Sequence, residues 1–552
     1  MFPNCKKICS PNCTHIDFIF FGFIATFSFL IVLQTGFTGF GPDQGMMFSA
    51  GWKFASGFYP LIDMPQAQGS TVTALTGLAF KLFGTSWRTY VGVAAATNVV
   101  FAGLAYALLR HLGLPRLYAL AYCLATAIVF APPHSVPNYD QTSFLCSFLM
   151  IACLLVGRHR QGFAAAAFHG LAVLMGALAF FSKQIPLAYF APLVVFLLAV
   201  IPAAQRMAAL IGVAVGVLGV VAVLAILLNY SHFSLHEWVY YWVSMPLLMG
   251  KERSTQFEPR AFFNLFNLSS LTFIAATFIA LWVLWRQKRA IIKAPGDDTA
   301  VALISGLWFF ALTFLFVRTA HNVIDQGIPM VFVATGLIHI AVVRMLPEKR
   351  ARIVGSVLMA LCVIDGVHFH LTSNLQRKVH GPFDFSQGQD LRIAETIPAL
   401  AGLRWIEPFA HNISVDDILE RYAFLSGVSK HALELDYLGY GSSPAVVAAQ
   451  TLDRVPSLYV QPGHATPVPS TPEGQDFFRH FYDVLAQNQL EWIISRGFPD
   501  DPGQVFSQPV IEHLQCERRV FPHFIAVRLC PGKMKEELDW ILKYHARAAD
   551  RG

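Results

Sequence analysis

Charge is what this sequence has least of. Asp, Glu, Lys and Arg make up 13% of the chain while 55% is hydrophobic, a balance that excludes an ordinary soluble enzyme and describes a polytopic membrane protein. The formal net charge of +6 is modest. Its basic residues sit in short loops between apolar runs, where they orient helices, and no nucleic-acid partner is needed to explain them. No small-residue cleavage site follows the first apolar run, Phe18 to Phe37, which is also longer than the apolar part of a signal peptide, so it is expected to stay as a helix. Inverted internal repeats of the kind found in many transporters are not visible. Cysteine is uninformative as a metal signal. Cys5, Cys9 and Cys13 recur every four residues, but Pro3 and Pro11 oppose a regular helix and no His completes a zinc set, so reduced, unliganded thiols are expected there.

What is present in quantity is apolar runs. Besides Phe18 to Phe37 they fall near 70–83, 90–109, 117–131, 141–156, 162–181, 187–201, 207–228, 269–285, 300–316, 328–343 and 353–369, twelve in all. Crossing an apolar core of about 30 Å takes about 20 helical residues, and the run Ser70 to Phe83 reaches only about 21 Å. Charge separates it from the rest. If this run does not cross, the loops holding Arg110 and Arg116, Arg158, Arg206, Arg286 and Arg344 all fall on the side of Lys6 and Lys7, as the preference of Lys and Arg for the cytoplasm requires. If it crosses, the most basic loops face outward. Eleven spans and one dipping segment are therefore expected, in a chain divided into a membrane domain, 1–370, and an outward-facing domain, 371–552.

The tail has the composition of a soluble domain. Pro456 to Gly463, Glu491 to Gly497 and Arg519 to Leu529 look like strands, with a helical pattern in "GQDFFRHFYDVLAQNQL" between the first two. Strand, helix, strand implies a small α/β domain. Cys516 and Cys530 lie in it, and an oxidising periplasm allows them to pair, although sequence does not give their separation.

Polar residues converge on the outer face of this topology. Asp43, in "GFGPDQGMMFSAGWKFASG", has two compatible readings: a cap on an interfacial helix, or a general base acting on an acceptor hydroxyl. Asp63, between Pro60 and Pro65, reads first as a turn residue. Asp140, in "PPHSVPNYDQTSF", reads equally as a helix cap or a functional carboxylate. Lys183 interrupts two apolar spans and must be solvated, paired or snorkelled to the surface. A cation there can also bind phosphate, with Arg318 and His321 of "FVRTAHNVIDQGIP" sharing the work on the same face.

The order of these features resembles the GT-C glycosyltransferases, in the branch that uses polyprenyl-phosphate sugars and includes the protein O-mannosyltransferases and the lipid A aminoarabinose transferase. The matching residues are Asp43, Gly57 with Tyr59, Asp63, Pro65 and Leu82 to Gly84, followed by Asp140, Lys183 and "HNVIDQGIP". They cover roughly the first 370 residues as an order of short motifs. Many relatives carry Asp-Glu where this chain has Asp43-Gln44, one carboxylate fewer for a divalent metal, so metal dependence stays open.

The resemblance implies a multi-pass protein of the bacterial inner membrane. Its donor is a polyprenyl-phosphate-linked sugar and its acceptor a glycan, lipid or protein hydroxyl. Asp43 is then the base, with Lys183, Arg318 and His321 on the donor phosphate and Asp63 and Asp140 as secondary acidic candidates. Two other readings stay open: a transporter or flippase whose cations line a passage for an anion, and a ligase moving a whole glycan from a polyprenyl diphosphate.

Overall fold

In a computed structural model of the chain, the structure describes residues 14–37, 42–63, 68–132, 135–231, 233–247, 270–319, 324–375, 389–406, 414–428, 432–435, 471–487, 489–498, 500 and 506–549. Cys5, Cys9, Cys13, Pro65, His321 and the strand expected at Pro456 to Gly463 lie outside the described residues.

Each of the twelve apolar runs is a helix. They are α1 (Thr14–Gly36), α3 (Ser70–Phe83), α4 (Trp87–His111), α5 (Arg116–Phe130), α6 (Tyr139–Gly157), α7 (Gly162–Ser182), α8 (Gln184–Ala199) and α9 (Arg206–Tyr230), then α11 (Ser270–Lys293), α12 (Asp298–Thr319), α13 (Ile324–Met345) and α14 (Glu348–Phe369). Two shorter helices interleave, α2 (Pro42–Ala55) and α10 (Leu235–Val239). Six of the long helices are long and apolar enough to cross a membrane. Along α9, Met207, Leu210, Val215, Leu218 and Ile226 are all exposed, which in a bilayer is a lipid-facing surface rather than a defect.

The described chain forms two compact units. The first comprises 1–36, 91–225 and 252–384, and the second 37–90, 226–251 and 385–552.

Polar contacts fix the direction of the helices in the first unit. On α1, Asp17 accepts a hydrogen bond from Tyr106 Oη of α4 at 2.6 Å and pairs with Arg110 at 3.5 Å and Arg116 at 3.3 Å. Half-way along, Asn98 Nδ2 donates to the carbonyls of Ser28 and Ala127 at 2.9 and 3.0 Å. At the far end Gly36 abuts Val91. Residues ascending α1 thus meet residues descending α4. The two helices are antiparallel neighbours, so the chain leaves this unit after Gly36 and re-enters it at Val91 at the same end.

The basic end of the unit is built from the loops that the charge argument groups together. Asp298, at the start of α12, lies 3.7 Å from Arg158, 3.4 Å from His159 and 3.8 Å from Arg344. Arg344 also donates to the carbonyl of Leu112 at 2.8 Å. At the opposite end the Thr272 amide of α11 donates to Asp365 of α14 at 3.1 Å, and His370 lies 3.4 Å from Gln34 of α1. These pairings give alternate directions to α1, α4, α5 and α6 and to α11, α12, α13 and α14. The result is a polytopic α-helical membrane fold.

In the second unit, α2 packs on α3 through glycine. A Cβ on Gly51 would strike Thr76, and one on Gly77 would strike Phe54, so neither helix tolerates a side chain at the crossing. Phe48 anchors the contact, with its ring 5.3 Å from Phe80, 5.7 Å from Trp87 and 5.3 Å from Tyr90.

The tail carries a short ribbon, β1 (Gln389–Asp390) with β2 (Trp405–Ile406), and a mixed sheet of β3 (Ala432–Leu435), β4 (Trp492–Ser495), β5 (Gln515–Val520) and β6 (Ile525–Leu529). The sheet order is β3-β4-β6-β5, with β3 parallel to β4 and the other pairs antiparallel. Leu425, Ala432, Trp492, Ile494, Phe524 and Ala526 form its core.

The strand expected at Glu491 to Gly497 and the helix of the FFRHFYDVL pattern, Pro472–Gln487, are both present. Arg519 to Leu529, expected as one strand, is instead a hairpin. Pro522 cannot donate to a ladder, and the chain turns at Phe521, whose amide bonds the Phe524 carbonyl at 2.8 Å. Cys516 and Cys530 are joined across this hairpin, with Cα atoms 5.0 Å apart.

Candidate functional site

In the first unit the candidate residues are Asp140 and Lys183. The chain enters α6 through Asn138, whose side chain accepts from the Asp140 amide at 2.8 Å. Asn138 is therefore the cap, and Asp140, one of whose expected readings was the cap, is a residue of the first turn. Freed of that duty, its carboxylate faces α7. Lys183 is the single extended residue between α7 and α8, with φ −162° and ψ 128°.

The two charged groups meet at 2.5 Å, with 7% of the Lys183 side chain and 4% of the Asp140 side chain exposed. Of the fates open to Lys183 in the sequence, pairing is the one observed. Neighbouring bonds hold the arrangement in register. Ser182 Oγ donates to the Tyr139 carbonyl at 2.7 Å, Ser143 Oγ donates to the Lys183 carbonyl at 2.8 Å, and the Lys183 ammonium lies 4.8 Å from the centre of the Tyr139 ring. A buried pair of this kind holds its geometry because neither charge can leave without stranding the other.

Arg318 falls in α12 one residue before its end at Thr319, with its side chain outside the described residues, as all of His321 is.

In the second unit, α2 begins at Pro42, the position proline favours, and Asp43 stands in the first turn, where the helix dipole favours a carboxylate. The Asp43 side chain is outside the described residues. Asp63 accepts from the Tyr59 amide at 2.7 Å and returns its own amide to the Tyr59 carbonyl at 2.9 Å, which is the work of a turn residue. Inside that turn Leu61 is held at φ 73°, a left-handed conformation that costs a leucine about 1–2 kcal/mol. Its carbonyl accepts from Trp238 Nε1 at 3.0 Å.

Two cations of this unit escaped the sequence reading. Lys81 of α3 donates to Tyr59 Oη at 3.1 Å and lies over the Phe54 and Tyr59 rings at 5.1 and 4.9 Å. Lys53 of α2 is 1% exposed. The signal for Lys81 was present in the "LAFKLFG" run, where a lysine near the end of a non-crossing helix falls close to the turn that the same motif prescribes. Lys53 gives no comparable signal, since one lysine in a short apolar helix is usually solvated. In the same unit Phe233 lies 5.5 Å from His480, and Tyr241 lies 6.1 Å from Phe477, so the loop after α9 packs on the Pro472–Gln487 helix.

Among the described residues no group of three or more His, Cys, Asp or Glu side chains is placed to hold a metal ion.

No protein-family model matches the chain, and no curated protein sequence matches it. Among solved structures, the crystal structure of ArnT from Cupriavidus metallidurans in the apo state aligns over 92% of this chain and 97% of its own, at 13% identity and a TM-score of 0.38. A likeness of that degree carries no argument about this chain.

Proposed function

We propose that this protein is a membrane glycosyltransferase, which takes a sugar from a polyprenyl-phosphate donor and joins it to an acceptor hydroxyl on the outer face of the membrane. One observation supports this reading above the rest. The chain bearing Asp43 and Asp63 leaves and re-enters the first unit at one end, between the antiparallel helices α1 and α4, which suits the first outer loop that the resemblance to GT-C enzymes implies. The tail, 371–552, is proposed to lie outside the cytoplasm.

In the proposed reaction Asp43 takes the proton of the acceptor hydroxyl, and the hydroxyl oxygen attacks the anomeric carbon. The bond from that carbon to the phosphate oxygen breaks, and its electron pair leaves with the polyprenyl phosphate. One displacement inverts the anomeric centre. Oxocarbenium character at the carbon and negative charge on the departing phosphate both grow toward the transition state. Lys183, Arg318 and His321 are the proposed cations for that phosphate, with Asp140 fixing the position of Lys183 and Asp63 shaping the turn behind Tyr59.

The test is incubation of the purified protein with a panel of polyprenyl-phosphate sugars, with and without chelator. Release of polyprenyl phosphate together with a one-sugar increase in acceptor mass is the expected result. An intact donor under every condition, with donor moved across vesicle membranes, would make the protein a transporter and end the enzyme reading.

A further inference from the structure

At the basic end of the first unit, opposite the Asp140–Lys183 pair, lies a groove of about 530 Å³ lined by Arg110, Pro115, Arg116, Tyr118, Ser356 and Met359, with Leu117 beside them. Two guanidinium groups share one carboxylate there, Asp17, which lies 3.5 Å from Arg110 and 3.3 Å from Arg116. Asp17 also accepts from Tyr106, and Arg110 donates to the Leu114 carbonyl at 2.6 Å. The local balance of Arg110, Arg116 and Asp17 is one positive charge.

Two further features carry the same sign or supply donors. The first turn of α5 opens into the groove, and its cap residue, Pro115, gives no side-chain hydrogen bond, so the positive end of that helix adds to the guanidinium field. Tyr118 Oη lies 3.1 Å from Ser356 Oγ, placing two hydroxyls on the floor. The walls are apolar: Pro115, Met359, and Leu117, which is 69% exposed and faces outward from the bundle.

We infer that this groove is a binding site for the phosphodiester headgroup of an anionic membrane lipid. Charge, donors and apolar wall fit the parts of such a lipid in order. The phosphate takes the guanidinium groups and helix end, the glycerol region takes the hydroxyls, and the first acyl methylenes lie along Leu117 and Met359. Basic pockets between membrane helices recognise headgroups by this combination. The site is separate from the proposed donor phosphate, because α6 runs its whole length between the two ends, about 28 Å for its 19 residues at the helical rise. Bound there, the lipid joins α4, α5 and α14 at the membrane surface.

The experiment uses the full-length protein in mild detergent, with dioleoyl-phosphatidylglycerol, dioleoyl-phosphatidylcholine or inorganic phosphate added, and reads lipid retained in native mass spectra together with Tm. Phosphatidylglycerol is expected to be retained at least about tenfold better than phosphatidylcholine, the worth of a charge-assisted contact, and to raise Tm. Met359→Trp, which fills the groove without removing charge, should abolish the difference while keeping the parent Tm in phosphatidylcholine. If that variant proves unstable, Arg116→Gln is judged by the same retention ratio. Equal retention of the two lipids by the parent, or an undiminished preference in a folded variant, overturns the site. Inorganic phosphate reproducing the Tm rise and displacing phosphatidylglycerol overturns the lipid assignment in favour of a free anion. Activity is not read, so the outcome does not depend on the glycosyltransferase proposal.

Discussion

Lys183 ends one bundle helix, Asp140 stands in the first turn of another, and their charged atoms lie 2.5 Å apart with both side chains more than nine-tenths buried. Removing one partner from such a pair costs about 3–5 kcal/mol, because the other charge is left buried and uncompensated. Lys183→Met alone should therefore lower Tm markedly, and Asp140→Asn with Lys183→Met together should recover most of the loss. Donor binding separates architecture from recognition. If the double variant regains the parent Tm but binds a polyprenyl-phosphate sugar about tenfold more weakly, Lys183 also serves the phosphate. If it binds donor as well as the parent, the pair is structural.

Arg158 at the basic end of the bundle and His370 beside Gln34 at the opposite end make a second prediction, about sidedness. Seven bundle helices, α7 to α9 and α11 to α14, separate Arg160 from the tail, so a tag after Arg160 and a tag after Gly552 should be protected on opposite sides of the membrane. By the positive-inside preference the first is cytoplasmic. Both tags reacting from the same side of sealed vesicles would require an even number of crossings between them, contrary to the helix directions described here.

The topology was legible because loop charge and helix direction are two expressions of one constraint. Arg110, Arg158 and Arg344 are separated by tens to hundreds of positions in the chain, yet each meets Asp17 or Asp298 at one end of the bundle. The pairing of Asp140 with Lys183 was within reach of the same argument, since the topology already placed the start of α6 and the end of α7 on one face.

What escaped was local. Nothing in "PNYDQ" says that Asn138 rather than Asp140 caps the helix, because both types cap well and the choice depends on a two-residue shift in where the helix starts. Similarly, the strand pattern of "RVFPHFIAVRL" runs through Pro522 without a break in hydrophobicity, and only the missing amide donor divides it into β5 and β6.

The disulfide between Cys516 and Cys530 closes a loop with a sequence separation of 14, and a loop of about 15 residues is worth about 3 kcal/mol in the chain-entropy account. Replacing both cysteines by Ala should destabilise the tail domain by about 2–4 kcal/mol, with the bundle untouched. The measurement is the protease sensitivity of the tail against that of the bundle on heating. Unchanged sensitivity in the Ala variant would mean that the hairpin is held by its sheet pairing alone.

His159, just past the end of α6, faces Asp298 at 3.4 Å, the His111 ring at 5.4 Å and the Arg158, Arg160 and Arg344 charges. Burial lowers its pKa below 6.5, Asp298 opposes that shift, and the surrounding arginines add to it. The sign follows from proton linkage. The unfolded chain takes up the proton first as pH falls, so the contribution of His159 to stability is complete above pH 6.5 and is lost as pH drops from there through the lower folded value. The Tm of the parent should fall more steeply than that of His159→Asn between pH 7.5 and pH 5, a range chosen to bracket the histidine transition at about 6.5. Parallel curves for the two proteins would remove His159 from the acid response.

Asp43 carries the enzyme proposal, and its position in the first turn of α2 makes the test a clean one. Asparagine matches its size and can accept amide hydrogen bonds at a helix start as aspartate can, and a carboxylate's interaction with the helix dipole is typically worth about 0.3–1 kcal/mol. Asp43→Asn should therefore fold, keep a Tm within a few degrees of the parent, and bind the lipid-linked sugar with little change in affinity. An amide is not a base of comparable strength, and removing general-base catalysis costs about 100-fold to 10,000-fold in rate. Transfer measured with saturating donor and acceptor should fall by that factor while donor binding holds, the reverse of the pattern expected if Lys183 serves the phosphate. Should the variant transfer sugar at close to the parent rate, Asp43 is part of the helix start alone. The base would then have to be sought at Asp140, whose carboxylate is already engaged by Lys183, or at Asp63, whose carboxylate is bonded to the Tyr59 amide.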